Sequence, residues 1–542
     1  MNLKSLVGFG VLVLSLSAVA SSPKLPKFEG NTDGIPSAEN APYTEEALKK
    51  ETSAAISRSS RTVASNNFED KMSPELKKLR SEILAIHSAD DLDKKITALE
   101  TSLDAIDKSD AAKGVTKDKR YSGDDRDYRY YAAQIVPLKC LKGIVWKFTP
   151  LAETSRIVDS RLVTNVYRLS QSMQLLSPQV DDLNNEKDRQ SAKENNEQNI
   201  SRSVFDYMTQ PYDGAVLFTA GKDLQMHLMN ACYTALSKSS ERIERLDLST
   251  PIVWDNKMYF GVGSFPDDLD RYKLLGEAER HLSMAMKHAG MHFISFFRAY
   301  SIKDYFTLQT ELGKLNVQDA FPSLFTTGFR EVEGVTLQKR ADTIRNFHST
   351  FLLYQDGQTY LSKYAWPNLV RSIQELGLVW DEVKDKPENQ RRILNPAFLN
   401  AFGRGTEETI KSWKGVIEGQ PLKSRLTDRV VRFDLHNFYT NPVADLKTFL
   451  PKSAVNATSV RFKDNKFKTY VLDTKGNRVA APERFNKYRN WYYGEQKVWD
   501  VTAWQKVFPD LKSSDDLPQT LRTMNQAWGG STMALPLMQF VR

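Results

Sequence analysis

Seven of the 542 residues are histidine, and three of them fall in one stretch, GEAERHLSMAMKHAGMHF, from Gly276 to Phe293. Imidazole titrates nearest neutrality and is the commonest metal ligand, so chemistry is sought here first. On a helix turning about 100° per residue, His281, His288 and His292 fall within about 40° of one line and share a face. Their rise separates them: at about 1.5 Å per residue, His281 and His288 stand about 10 Å apart, too far to hold one ion together. His288 and His292 are one turn apart, the H-x-x-x-H spacing that lets two ring nitrogens meet one zinc or copper ion. The intervening residues are Ala289, Gly290 and Met291, so the glutamate general base of an H-E-x-x-H peptidase is missing.

A third ligand would come from LQMHLMNAC, where His227 lies among Met226, Met229 and Cys232. Imidazole and sulfur together suit copper or haem iron. The other reading makes these residues structural. Methionines at helical spacing fill cores, and a histidine at a core edge hydrogen-bonds a carboxylate or a carbonyl. Beside the histidine line runs an apolar stripe of Leu275, Ala278, Leu282, Ala289 and Phe293. The imidazoles therefore sit at the edge of a core, where a second element would cover them.

A second constellation is RFNKYRNWYYGEQKVWDVTAW. Tyr488, Trp491, Tyr492 and Trp499, set among basic residues, could stack a sugar or hold an anionic ligand. The same density of rings would also close a small hydrophobic core, with the basic residues facing water. Cys140 and Cys232 are the two cysteines. In an exported protein they could pair, and both lie in apolar surroundings that would equally hold two buried thiols. The motifs G-x-S-x-G, G-x-x-x-x-G-K-[ST] and C-x-x-C-H are absent from the sequence, which removes the plainest signatures of a nucleophile elbow, a phosphate loop and covalent haem.

The elements that must position these residues are mostly helices. Residues 1–20 read as a Sec-type signal peptide, with Lys4, an apolar run from Leu6 to about Leu16, and Ala18-Val19-Ala20 before Ser21. Residues 21–72 have the composition of a flexible tether. In 73–109, Leu76, Leu79, Ile83 and Ile86, then Leu92, Ile96, Leu99, Leu103 and Ile106, alternate steps of three and four, which predicts a helical hairpin. Residues 110–132 read as a solvated charged linker, in which Asp124, Asp125 and Asp127 lack the glycine and glutamate of a calcium loop. A main helical domain is expected over 133–425, interrupted by a hairpin about Asp255-Asn256, with the histidine helix running from Pro266 to about Tyr300. A smaller α+β region follows over 426–542, with a turn at Lys475-Gly476.

The fold class expected is thus mainly α, a soluble multi-helix body with a small sheet-containing C-terminal part. A net charge of +8 against 75 basic and 67 acidic residues is a modest excess that argues for solvated faces more than for a nucleic-acid partner. The expectation is an exported protein of the periplasm, cell envelope or extracellular space that binds or supports an envelope polymer or protein, with no cofactor. Two alternatives stand beside it. One is a metal- or haem-binding or redox protein using His288 and His292, with His227. The other is a glycan-acting hydrolase with the Trp491 region as its platform.

Overall fold

Helices begin where a side chain can replace the missing backbone partner of the first turn. Ser73 does this for helix α1 (Pro74–Leu84), its hydroxyl accepting from Leu76 N at 3.0 Å with Pro74 in the first turn. Ser88 does it for α2 (Ala89–Ala112), accepting from Asp91 N at 3.1 Å, with Asp90 and Asp91 at the positive end of the helix. The predicted seam is the buried one: Leu76, Leu79, Ile83, Leu92, Ile96, Leu99 and Leu103 are each at most 2 % exposed. The computed structural model describes residues 68–147, 150, 200–255, 272–303, 345–347, 350–355, 359–384, 393–394, 406–424, 427–450, 453–456, 470–472, 478–480 and 495–527. The signal peptide, most of the tether, and Tyr488, Trp491 and Tyr492 lie outside these residues.

The charged stretch after the hairpin departs from the expected solvated linker. From Arg126 to Ile135 it forms helix α3, which buries Asp127, Arg129, Tyr130 and Tyr131. The charges are paired inside the fold. Asp127 accepts from Ser73 N at 2.9 Å and from Ser73 Oγ at 2.5 Å, tying α3 to the start of the hairpin. Arg129 pairs with Asp110 at 2.7 Å and Asp125 at 3.0 Å, and its guanidinium lies 3.5 Å from the centre of the Tyr121 ring.

Further along, α4 (Ile200–Thr209) precedes a longer helical path made of α5 (Gly221–His227), a π-helical segment Leu228–Tyr233, and α6 (Thr234–Glu244). A disulfide joins Cys140 to Cys232, in the π-helical segment, with a Cα–Cα distance of 5.0 Å. Strand β1 (Ile252–Asp255) pairs antiparallel with β2 (Tyr272–Leu275), in the register Ile252↔Leu275. The segment Tyr272–Leu275 is therefore strand, and the histidine helix α7 spans Glu277–Ala299 rather than starting at Pro266. Its first turn is capped by Glu279, whose carboxylate accepts from Gly276 N at 2.8 Å.

The second long helix, α8 (Trp366–Val383), follows a π-helical segment Tyr360–Ala365. Pro367 has no N–H to offer the carbonyl one turn back, which accounts for the irregular entry into α8. Helices α9 (Thr406–Ile417), α10 (Leu435–Thr440), α11 (Val501–Gln505) and α12 (Leu517–Ala527) follow toward the C-terminus, and short helical turns such as Val136–Leu141 and Ile144–Lys147 join the longer elements. The remaining strands form three small antiparallel pairs: Leu422–Lys423 with Val430–Val431, Ser453–Asn456 with Glu495–Val498, and Tyr470–Leu472 with Arg478–Ala480. The turn expected at Lys475-Gly476 lies outside the described residues. The fold is a multi-helix body with minor two-stranded sheets. Among the described residues no helix is long and apolar enough to cross a membrane.

Two hydrophobic cores result. The first gathers the hairpin, α3, α6 and β1–β2, and the second gathers α10, α11, α12 and the chain around Phe351. Helices α7 and α8 belong to both. Met284 and Ile294 of α7 and Val379 and Val383 of α8 enter the first core, while Phe296 and Ala299 of α7 and Leu369 and Ile373 of α8 enter the second.

Candidate functional site: a polar seam between two helices

The second element that covers the histidines is α8, which packs antiparallel along α7. The contact is a column of four hydrogen bonds. His281 Nδ1 donates to Glu375 Oε2 at 2.5 Å, Ser372 Oγ donates to the Ala285 carbonyl at 2.9 Å, His288 Nδ1 donates to Asn368 Oδ1 at 2.7 Å, and His292 Nδ1 donates to the Ala365 carbonyl at 3.0 Å. The rungs fall one per turn because 281, 285, 288 and 292 advance by four, three and four residues while 375, 372, 368 and 365 retreat by three, four and three. Such steps keep one face of each helix against the other. Polar residues occupy seam positions that apolar side chains would ordinarily fill.

The partners fix the protonation of each ring. Arg280 Nη2 donates to His281 Nε2 at 3.1 Å, so the ring proton of His281 is on Nδ1, where Glu375 accepts it. Asn368 uses its Nδ2 to donate to the Tyr364 carbonyl at 2.7 Å and the Tyr233 hydroxyl at 3.1 Å. Its oxygen must therefore face His288, which carries its proton on Nδ1 and accepts from Ser240 Oγ at 3.1 Å through Nε2. His292 accepts from the Tyr439 hydroxyl at 3.3 Å through Nε2. His288 and His292 are neutral in this arrangement. Burial holds His288 below the ordinary histidine range and pushes His292, 2 % exposed, down to about 4.

At the His281 end the seam is ionic. Glu375, 1 % exposed, pairs with Arg371 at 2.6 Å, and Arg371 pairs with Glu244 at 2.8 Å. Arg280, 1 % exposed, pairs with Glu277 at 2.6 Å, which also meets Arg120 at 2.9 Å. Burial alone would raise the Glu375 carboxyl, but the His281 hydrogen bond and the charges of Arg371 and Arg280 outweigh it and hold the group below the usual carboxylate range. Off this column, Lys287 is wholly buried and donates to Gln134 Oε1 at 2.6 Å. Gln134 Nε2 in turn donates to Ser283 Oγ. Desolvation lowers the Lys287 amine to about 7.

His227 keeps other company. Its Nε2 donates to the Cys140 carbonyl at 2.7 Å, its ring lies 5.5 Å from that of Phe218, and burial lowers its pKa. It supports the disulfide region, and Met226 beside it is 42 % exposed. To take an ion, His288 and His292 would have to release the Ser240 and Tyr439 hydroxyls from their unprotonated nitrogens. Among the described residues no three of His, Cys, Asp and Glu are placed to hold a metal ion. Trp499 is 7 % exposed and meets Trp504 edge-on at 5.9 Å inside the second core.

Glu375, Ser372 and Asn368 escaped sequence reasoning, which had no means of joining positions about 90 residues apart. A signal was present: in NLVRSIQEL these three polar residues recur at steps of four and three, the spacing of a helix seam. Comparison of the chain with protein-family models, curated proteins and solved structures finds no match.

Proposed function

We propose that this is an exported, non-catalytic protein of the cell envelope or extracellular space, a helical scaffold that binds or supports an envelope polymer or protein partner. The observation that carries the reading is the seam. The histidines that offered the best prospect of chemistry have their ring nitrogens engaged by protein groups and serve to join two helices. The Cys140–Cys232 disulfide supports the export half of the reading, because such bonds persist in oxidising compartments.

The test is elemental analysis with an absorption spectrum on the mature chain purified without metal-chelating resin, beside a His288→Ala/His292→Ala double variant, with N-terminal sequencing of protein recovered outside the cytosol. The expected result is a chain starting at Ser21 that stays metal-free after incubation with zinc and copper. A stoichiometric metal or a haem band that the double variant loses would overturn the non-catalytic reading. Recovery only from the cytosol with the leader intact would overturn export.

A further inference from the structure

The two ends of the seam differ in their charged surroundings. At the His281 end the ring donates to Glu375 and accepts from Arg280 Nη2 at 3.1 Å, and the rung is flanked by ion pairs of Arg371 with Glu375 at 2.6 Å and of Arg280 with Glu277 at 2.6 Å. At the His292 end no carboxylate of the described residues pairs with the ring. Its partners are the Ala365 carbonyl and the Tyr439 hydroxyl, and its ring is packed at 5.6 Å against that of Tyr439. The other titratable groups on the elements around it are the phenols of Tyr360 and Tyr364 and the ammonium of Lys363 on the π-helical segment, and His436 on α10, which faces Trp366 at 5.2 Å. On α7 itself Lys287, His288 and Arg298 lie within two turns, and Lys287 is turned to Gln134. None of these can neutralise an imidazolium. His288 lies between the extremes, held by Ser240 and Asn368 and within range of Glu375, Glu244 and Arg371.

We infer that the seam is an acid-operated hinge: protonation of His292 parts α7 from the start of α8 and loosens the second core around Phe296, Trp366 and Tyr439, while the His281–Glu375 rung, flanked by the Arg371–Glu375 and Arg280–Glu277 ion pairs, holds the other end closed. A charged ring buried among a carbonyl, a phenol and aromatic faces is poorly compensated, and separating the helices lets water reach it. The loss of one rung at a helix end leaves the remaining three in register, so opening is local and reversible. The low pKa of His292 places the response on the acid side of neutrality.

Hydrogen exchange read by mass spectrometry on the oxidised mature chain tests this, at about pH 7.5 and about pH 4.5 with correction for intrinsic rates. In acid, protection over 289–299 and 361–369 should fall on the order of tenfold to a hundredfold, while 277–284 and 371–383 stay protected. His292→Asn keeps a side-chain N–H for the Ala365 carbonyl and cannot be protonated in this range, so it should remain closed in acid. Equal loss of protection along both helices, no loss in acid, or an unchanged acid response in His292→Asn would each overturn the hinge. Should His292→Asn fail to fold, the ring resonances of the wild-type histidines decide. Protonation of His292 should coincide with the loss of protection over 361–369, and protonation within a fully protected seam would refute the proposal.

Discussion

Lys287 has three hydrogens to donate and, where it is buried, the Gln134 oxygen as its hydrogen-bond acceptor. Desolvation holds the folded-state amine near 7, whereas an unfolded lysine titrates near 10.4. Between those values the unfolded chain binds more protons than the folded one, so this group makes stability rise with pH across that window and penalises the fold below it. Lys287→Met should remove the rise. In urea titrations at about pH 7 and about pH 9.5, the wild type should gain stability relative to the variant at the higher value. A difference between the two proteins that does not change with pH would mean that Lys287 titrates alike in both states. The residue was legible in the sequence only as one lysine on an amphipathic helix. Its burial depends on Gln134, 153 positions away, and pairing over such distances leaves no periodic trace.

Among the elements, those whose partners lie nearby in the chain were the ones readable in advance. The hairpin of α1 and α2 could be read because both halves carry the same three-and-four pattern, and its buried leucines and isoleucines are those the pattern selects. The stretch around α3 misled, because Asp127 and Arg129 look like solvent residues until Ser73, Asp110 and Asp125 are seen to satisfy them. The disulfide could be posed but not decided, since apolar flanks suit a buried thiol as well as a bond. Cys140 and Cys232 lie 92 residues apart, and in the chain-entropy model a cross-link over a loop of that size is worth about 4 to 5 kcal/mol. Cys140→Ser/Cys232→Ser should lose an amount of that order in equilibrium unfolding, and the reduced wild type should match it. A loss under about 1 kcal/mol would show that the Val136–Leu141 and Leu228–Tyr233 segments are held by their packing instead.

For the molecule as a whole, α7 and α8 are the common property of two cores, and each core loses the apolar side chains they contribute if the pair comes apart. The described body should therefore unfold in one transition at neutral pH. Leu99→Ala in the first core and Phe438→Ala in the second should each cost about 2 to 5 kcal/mol and lower one shared midpoint, followed by both tryptophan fluorescence and far-ultraviolet circular dichroism. Two separated transitions, each moved by only one of the substitutions, would mean that the cores are independent units with a helix pair between them. This level of organisation left least in the sequence. The apolar stripe of α7 reads as a single face, and the structure instead buries the helix on nearly every side, dividing its length between two sets of neighbours.

The rungs between α7 and α8 also make these segments measured lengths. Their bonds occur in matched steps along 281–292 and 375–365. One residue inserted or removed within either span would turn everything beyond it by about 100° and aim the remaining imidazoles away from their acceptors. Exchanges at outward positions leave that count alone. In any library of variants of this chain, these two stretches should accept changed letters far more readily than a changed number of them.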